Sequence, residues 1–256
     1  MRAPSGFATW LNDRSHVDRK TGIRYLMHPR SDAHSIYLCE LIVHDLLAES
    51  PVLADQARRG QIGFGINLSH TWPSSRKAKT IDLAIGKPVG NLTPPADAIT
   101  QLKVMSEVLI SCEAKATMTE HGKSKPRLFD ELSSSHEIVH KGRTDCIAAG
   151  IEVVNIANTF ASPLRNKSAG SAEDLEITPH RQPGAAKSIV EHLRHLDRRT
   201  NQSGEGFEAF GCIVVSTDNL SYSTLWTDDP APQPGDPDHY ETFIRDIVGN
   251  YEERFA

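Results

Sequence analysis

Three residues, Asp82, Glu113 and Lys115, combine types and spacing that could do chemistry. Glu113 and Lys115 are two apart within 106–116, where most other side chains are small or apolar. In an extended chain they share one face, with Cβ atoms about 7 Å apart. Val108, Ile110, Cys112, Ala114 and Ala116 then take the opposite, core-facing side. In an earlier apolar stretch, 80–85, Ile81, Leu83 and Ile85 take one side, with Thr80, Asp82 and Ala84 on the other. If the two stretches are neighbouring strands, Asp82 lies beside Glu113. Carboxylates so placed repel, and a shared proton or a bound cation relieves them. Oxygen ligands with positions left for water suit Mg2+. An amine beside such an ion can orient or deprotonate a water molecule. Two acids and an amine around a hard cation make a site for phosphodiester hydrolysis.

The triplet acidic-x-Lys is weak by itself, because chance supplies it in a chain of this length. Asp18, Arg19 and Lys20 fit the same string. That copy sits in a polar, basic opening of about thirty residues with no apolar strand around it, so it is set aside. The opening holds Arg14, Arg19, Lys20, Arg24 and Arg30 and reads as an N-terminal arm with at most short structure.

The elements that must position the three residues follow from periodicity. Residues 35–49 form a helix on Ile36, Cys39, Val43, Leu46 and Leu47, with Ser35 as N-cap and Pro51 just past its end. Glu40 shares a face with Ile36, Val43 and Leu47, where a carboxylate is expensive unless something uses it. Strands follow at 62–68, 80–85 and 106–116. A Lys- and Gly-rich loop at 119–126 leads into a helix at 127–140. The short continuous apolar run at 148–157 is typical of a strand buried on both faces. Beyond it come a polar loop at 166–183, a helix at 185–199, a buried strand at 210–216, an acidic, proline-rich connector at 228–238 and a terminal helix at 239–255.

Composition narrows the class. The chain has 256 residues, 38% hydrophobic and 24% charged, with a net charge of −5. That excludes a disordered tail and a histone-like blanket of positive charge, while leaving room for a local basic cluster. No apolar run is long enough to span a bilayer, and the first residues lack the apolar core of a secretory signal. Cys39, Cys112, Cys146 and Cys212 are far apart with no CxxC pair, which favours buried free thiols in a reducing cytoplasm. Twelve histidines form no metal-binding motif, and His136 and His140 read as helix-surface residues without a role. Gly63 and Gly65 lack the spacing of a nucleotide-binding loop. Basic groups before the second strand (Arg76, Lys77, Lys79), after the third (Lys123, Lys125, Arg127) and after the following helix (Lys141, Arg143) are candidates for phosphate contact. The run Ser133, Ser134, Ser135 and His136 could add hydrogen bonds to a nucleic-acid backbone.

Asp82 followed by Glu113, Ala114 and Lys115, within the order helix, three strands, helix, strand, resembles the PD-(D/E)XK nuclease superfamily, type II restriction endonucleases in particular. The resemblance spans 35–157. It implies an α/β fold with a mixed central sheet flanked by helices around a restriction-endonuclease-like core. It also implies a single nuclease domain over 1–256, with 158–256 adding elements for recognition or dimerisation. By resemblance Asp82, Glu113 and the main chain of Ala114 hold Mg2+, and Lys115 positions the attacking water. Glu40 matches the acid that the family often adds from its first core helix. Ile81 stands where the family name has proline, a position without chemistry. The partner implied is double-stranded DNA, contacted by Arg76, Lys77, Lys79, Lys123, Lys125 and Arg127, and the assembly implied is a cytoplasmic homodimer with no membrane contact. The alternatives are a DNA-binding module that has lost hydrolysis on the same scaffold, and a repair or junction-resolving nuclease.

Overall fold

A computed structural model describes residues 3–72, 78–93, 99–167, 169 and 171–256. The chain opens with α1 (Ala3–Asp13), β1 (His16–Val17), β2 (Arg24–Tyr25), α2 (Ala33–Glu49) and α3 (Pro51–Arg58). There follow β3 (Gly63–Thr71), β4 (Ala78–Pro88), β5 (Met105–Thr117), α4 (His121–Gly142) and β6 (Ile147–Asn155). The remainder is β7 (Thr159–Ala161), β8 (Ile177–Pro179), α5 (Gly184–Leu193), β9 (Ala209–Thr217), β10 (Ser223–Trp226) and α6 (Tyr240–Phe255).

Six strands form one mixed sheet in the order β10-β9-β6-β5-β4-β3. The pairs β3–β4, β4–β5 and β9–β10 are antiparallel, while β5–β6 and β6–β9 are parallel. Parallel neighbours need a crossover, which α4 supplies between β5 and β6. Apolar residues of α1, α2, α3 and α6 cover one face of the sheet, and those of α4 and α5 cover the other. Every residue of β6 is buried, as its apolar run requires of a central strand covered on both sides. Among the described residues no helix is long and apolar enough to cross a membrane. All four cysteines are buried and free.

Several local expectations need correction. The opening holds more than the short structure expected of an arm, since α1 spans 11 residues. Phe7 and Leu11, four apart, bury one side of α1, and the Ala3 N–H donates to the Asp45 carboxylate at 2.9 Å. α2 ends at Glu49, just before Pro51 as expected, but a further helix, α3, begins at Pro51. Its fixed φ and missing N–H suit the first helical position, and the Ser50 hydroxyl caps it by accepting the Leu53 N–H. The basic segment 119–126 is largely helical, since α4 starts at His121 and carries Pro126 in its second turn. The helix expected over 185–199 ends at Leu193. His136 is buried against Phe207, and His140 meets the buried Glu208, so neither is a surface residue.

The simple alternation of faces also fails, and the failure shapes the site. On β3, Phe64 and Ile66 pack on the α2 and α6 side, but Leu68 packs on the α4 and α5 side. Between them Asn67 takes a positive φ of 50°. On β4, Ile81 lies on the α4 and α5 side, while Leu83 and Ile85 lie on the other. Asp82 occupies the crossover, in register with Asn67 between the pairs Ile66–Leu83 and Leu68–Ile81. On β5, Ile85 pairs with Ile110 and Gly86 with Val108, leaving Leu109 as an extra residue. This bulge turns Val108 to the α4 side, away from Ile110, Cys112 and Ala114.

Candidate active site

The regular β4–β5 ladder runs only as far as Leu83–Cys112. Asp82 and Glu113 are the next residues on each strand, where the two strands begin to part. β5 stays paired to β6 on its other edge through Thr117, so the fork opens on the β4 side alone. At the fork the Ala114 N–H donates to Asp82 Oδ2 at 2.8 Å, so a side chain takes up a donor that the ladder no longer pairs.

Glu113 is the hub. Lys115 Nζ donates to its Oε1 at 2.6 Å. Its Oε2 meets Lys79 Nζ at 3.2 Å and accepts the Ser135 hydroxyl of α4 at 3.1 Å. Lys79 also donates to Ser135 Oγ, closing a ring of three groups. Side-chain exposures of 13% for Glu113, 17% for Lys79 and 27% for Lys115 leave the cluster sheltered yet open to solvent.

The charges are unevenly balanced. Burial pushes the Asp82 carboxyl up, Glu113's charge pushes it further, and the Ala114 N–H and both lysines recover only part. Burial also works against Glu113, but the ammonium groups of Lys79 and Lys115 win and hold it below the usual carboxylate range. For Lys115, burial lowers the value and Glu113 more than restores it, so the amine stays charged. Asp82 is thus the carboxylate short of a cation. That donor chemistry fits a hard divalent ion, with Asp82, Glu113 and the Ala114 carbonyl as the groups available to hold it. The described residues contain no cluster of three or more His, Cys, Asp or Glu side chains suited to a metal, so these two acids are the side-chain complement.

The other expected residues fare differently. Glu40 is exposed on α2 rather than set on its buried face, which Leu38, Cys39, Ile42, Val43 and Leu46 provide. Lys79 lies inside the cluster instead of on a flanking loop. Arg76 and Lys77 fall outside the described residues. Lys123 and Arg127 pair with Glu120 and Glu131, and Lys125 donates to Ser188. Arg143 binds Glu107 at the start of β5, the end of the strand away from Lys115, and is structural. The decoy Asp18 accepts the Lys20 and Thr21 N–H groups in the β1–β2 turn.

Two participants escape a reading of the sequence. Ser135 stands among three serines of which the pattern cannot single one out. Glu152 hides inside the apolar run of β6, in register with Lys115. It is wholly buried. Burial pushes its carboxyl up to about 8, with Thr117 and Lys115 pulling the other way.

Comparison with protein-family models, curated protein sequences and solved structures gives no match. The mixed sheet flanked by helices is what defines the class of this chain.

Proposed function

We propose that the chain is a Mg2+-dependent endonuclease that hydrolyses DNA phosphodiester bonds, in the manner of a sequence-specific type II restriction enzyme. The observation that carries this reading is the fork itself, where Asp82 and Glu113 meet beside Lys115 on separating strands. The order α2, α3, β3, β4, β5, α4, β6 around it, with the short α3 as the one addition to the expected order, supports the resemblance drawn from the sequence. Asp82, Glu113 and the Ala114 carbonyl would hold the ion, which when bound supplies charge stabilisation to the phosphate and the leaving oxygen. Lys115 orients the water that attacks phosphorus, and Glu113 fixes that ammonium in place. Lys79 and Ser135 keep Glu113 in one orientation. A homodimer follows if both strands of a palindromic site are cut, because protein and site then share a two-fold axis.

The test is digestion of plasmid and phage DNA by the purified protein with Mg2+ or with EDTA. Discrete fragments with Mg2+ alone are expected. A smear or cutting confined to branched DNA points instead to a repair or junction nuclease. Binding without cutting points to a module that has lost hydrolysis.

A further inference from the structure

The segment 14–30 carries Arg14, Arg19, Lys20, Arg24 and Arg30 against one carboxylate, Asp18, in a chain whose net charge is −5. All five cations are exposed, and none pairs with a carboxylate among the described residues. Six surface cations elsewhere, Arg58, Arg59, Lys87, Lys123, Arg127 and Lys141, each have a carboxylate partner, and the exposed Lys103, Arg181 and Arg245, which have none among the described residues, are scattered along the chain instead of sharing one short segment. Five like charges left without counter-ions in one short segment form a local positive field.

The mount is firm. Ile23 and Tyr25 are buried with Ala161. Asn219 accepts the Met27 N–H at 2.8 Å on its side-chain oxygen and donates its amide to the Met27 carbonyl at 3.1 Å. The Leu26 N–H donates to the Asn219 carbonyl at 3.1 Å. The cations therefore project from a fixed hairpin and its flanks.

The surface also leads to the site. A hollow of about 300 Å3 is lined by Arg30 and His34 on one side and by Ala114 and Lys115 on the other. A second hollow, of about 160 Å3, is lined by Arg14, His16 and His28 and shares Ser31 and His34 with the first. Together they make a trough from Lys115 to Arg14, whose guanidinium lies 5.0 Å from the Trp10 ring centre. His28, within it, is pushed below its ordinary value by burial and then by the charges of His16 and Arg30.

We infer that Arg14, Arg19, Lys20, Arg24 and Arg30 form a contact surface for a DNA backbone, along which one strand is led through the trough to Lys115. The inference rests on the nuclease reading and adds the surface that would position its substrate. Phosphates supply the missing counter-charge, and the contacts specify no base.

The test measures binding of a fluorescent DNA duplex in EDTA across a salt series, for wild type and for the variant Arg19→Gln/Lys20→Gln/Arg24→Gln/Arg30→Gln. These exposed side chains leave the fold intact, which thermal melting checks. The variant is expected to bind about 10-fold or more weakly at low salt, with a salt slope flatter by roughly 3. Arg58→Gln/Arg59→Gln, which removes ion-paired surface arginines, is expected to leave both readings unchanged. A quadruple variant that keeps wild-type affinity and slope overturns the inference, as does one that weakens RNA binding but not duplex binding. If wild type cuts DNA while the variant retains its slope, the inference alone fails. If wild type neither binds nor cuts DNA, the nuclease reading fails with it.

Discussion

Glu152 shows what a single buried carboxyl can do to the whole chain. A carboxyl held above its ordinary range keeps its proton in the folded state while the unfolded chain has already lost it. Its contribution to stability is therefore complete in acid and declines as pH rises from the usual carboxylate range to about 8. The loss across that window is on the order of 4 kcal/mol. Glu152→Gln is neutral at every pH and escapes it. Its stability relative to wild type, measured by urea denaturation, is expected to climb between pH 5 and 9 by roughly this amount. A difference that stays level with pH contradicts the account. The core residues of the site were legible in the sequence because Asp82, Glu113 and Lys115 interrupt apolar stretches that have no other use for charge. Glu152 interrupts one too, but a lone acid in a buried run carries no partner at a telling spacing. Its neighbour Lys115 is on another strand, and only the sheet register joins them.

At the level of elements, the site depends on the crossover that Asn67 and Asp82 share. Asn67 adopts a left-handed conformation that its short polar side chain tolerates and a β-branched residue does not. Asn67→Val is expected to lower stability by about 1–2 kcal/mol. Asn67→Gly removes the same hydrogen bond to Asp32 but accepts the backbone, and should cost less. Equal losses in the two variants, by urea denaturation, would show that the backbone conformation is not what matters. The same crossover explains which part of the fold periodicity could not reveal. Element order and the central strands follow from apolar runs, whereas a face switch or the bulge at Leu109 leaves no mark on hydropathy. Lys79 illustrates the consequence. Strict alternation places it on the side of strand β4 opposite Asp82, and only the fork and α4 bring it to Glu113 beside Asp82. The exposed Glu40 is the converse, since Ile36 and Leu47 are only partly covered and the face they mark on α2 is not its core face.

Across the molecule, a second buried charge cluster ties the far ends of the chain together. Glu208, at the entry to β9, accepts Arg199 at 2.5 Å, Arg254 of α6 at 2.8 Å and the Ala148 N–H of β6 at 2.8 Å, with His140 of α4 at 3.1 Å. Burial alone would raise its carboxyl, but His140 and Arg254 hold it below the usual range. Glu208→Ala strands two buried guanidinium groups, so a loss of about 3–5 kcal/mol is expected in urea denaturation. A loss under about 1 kcal/mol contradicts that role. The segment beyond 157, which the resemblance does not reach but where periodicity predicts a buried strand at 210–216 and a terminal helix at 239–255, extends the central sheet by two strands and closes it with α6. The scaffolding holds one fork in the sheet, and cleavage tests directly the function proposed for it. Plasmid DNA is incubated with Mg2+ and wild type, Asp82→Ala or Lys115→Ala, each first shown to melt as a folded protein. Cutting by wild type that EDTA abolishes, and that falls by about 100-fold or more in both variants, is the predicted result. Full cutting by either variant, or cutting that survives EDTA, would contradict the account.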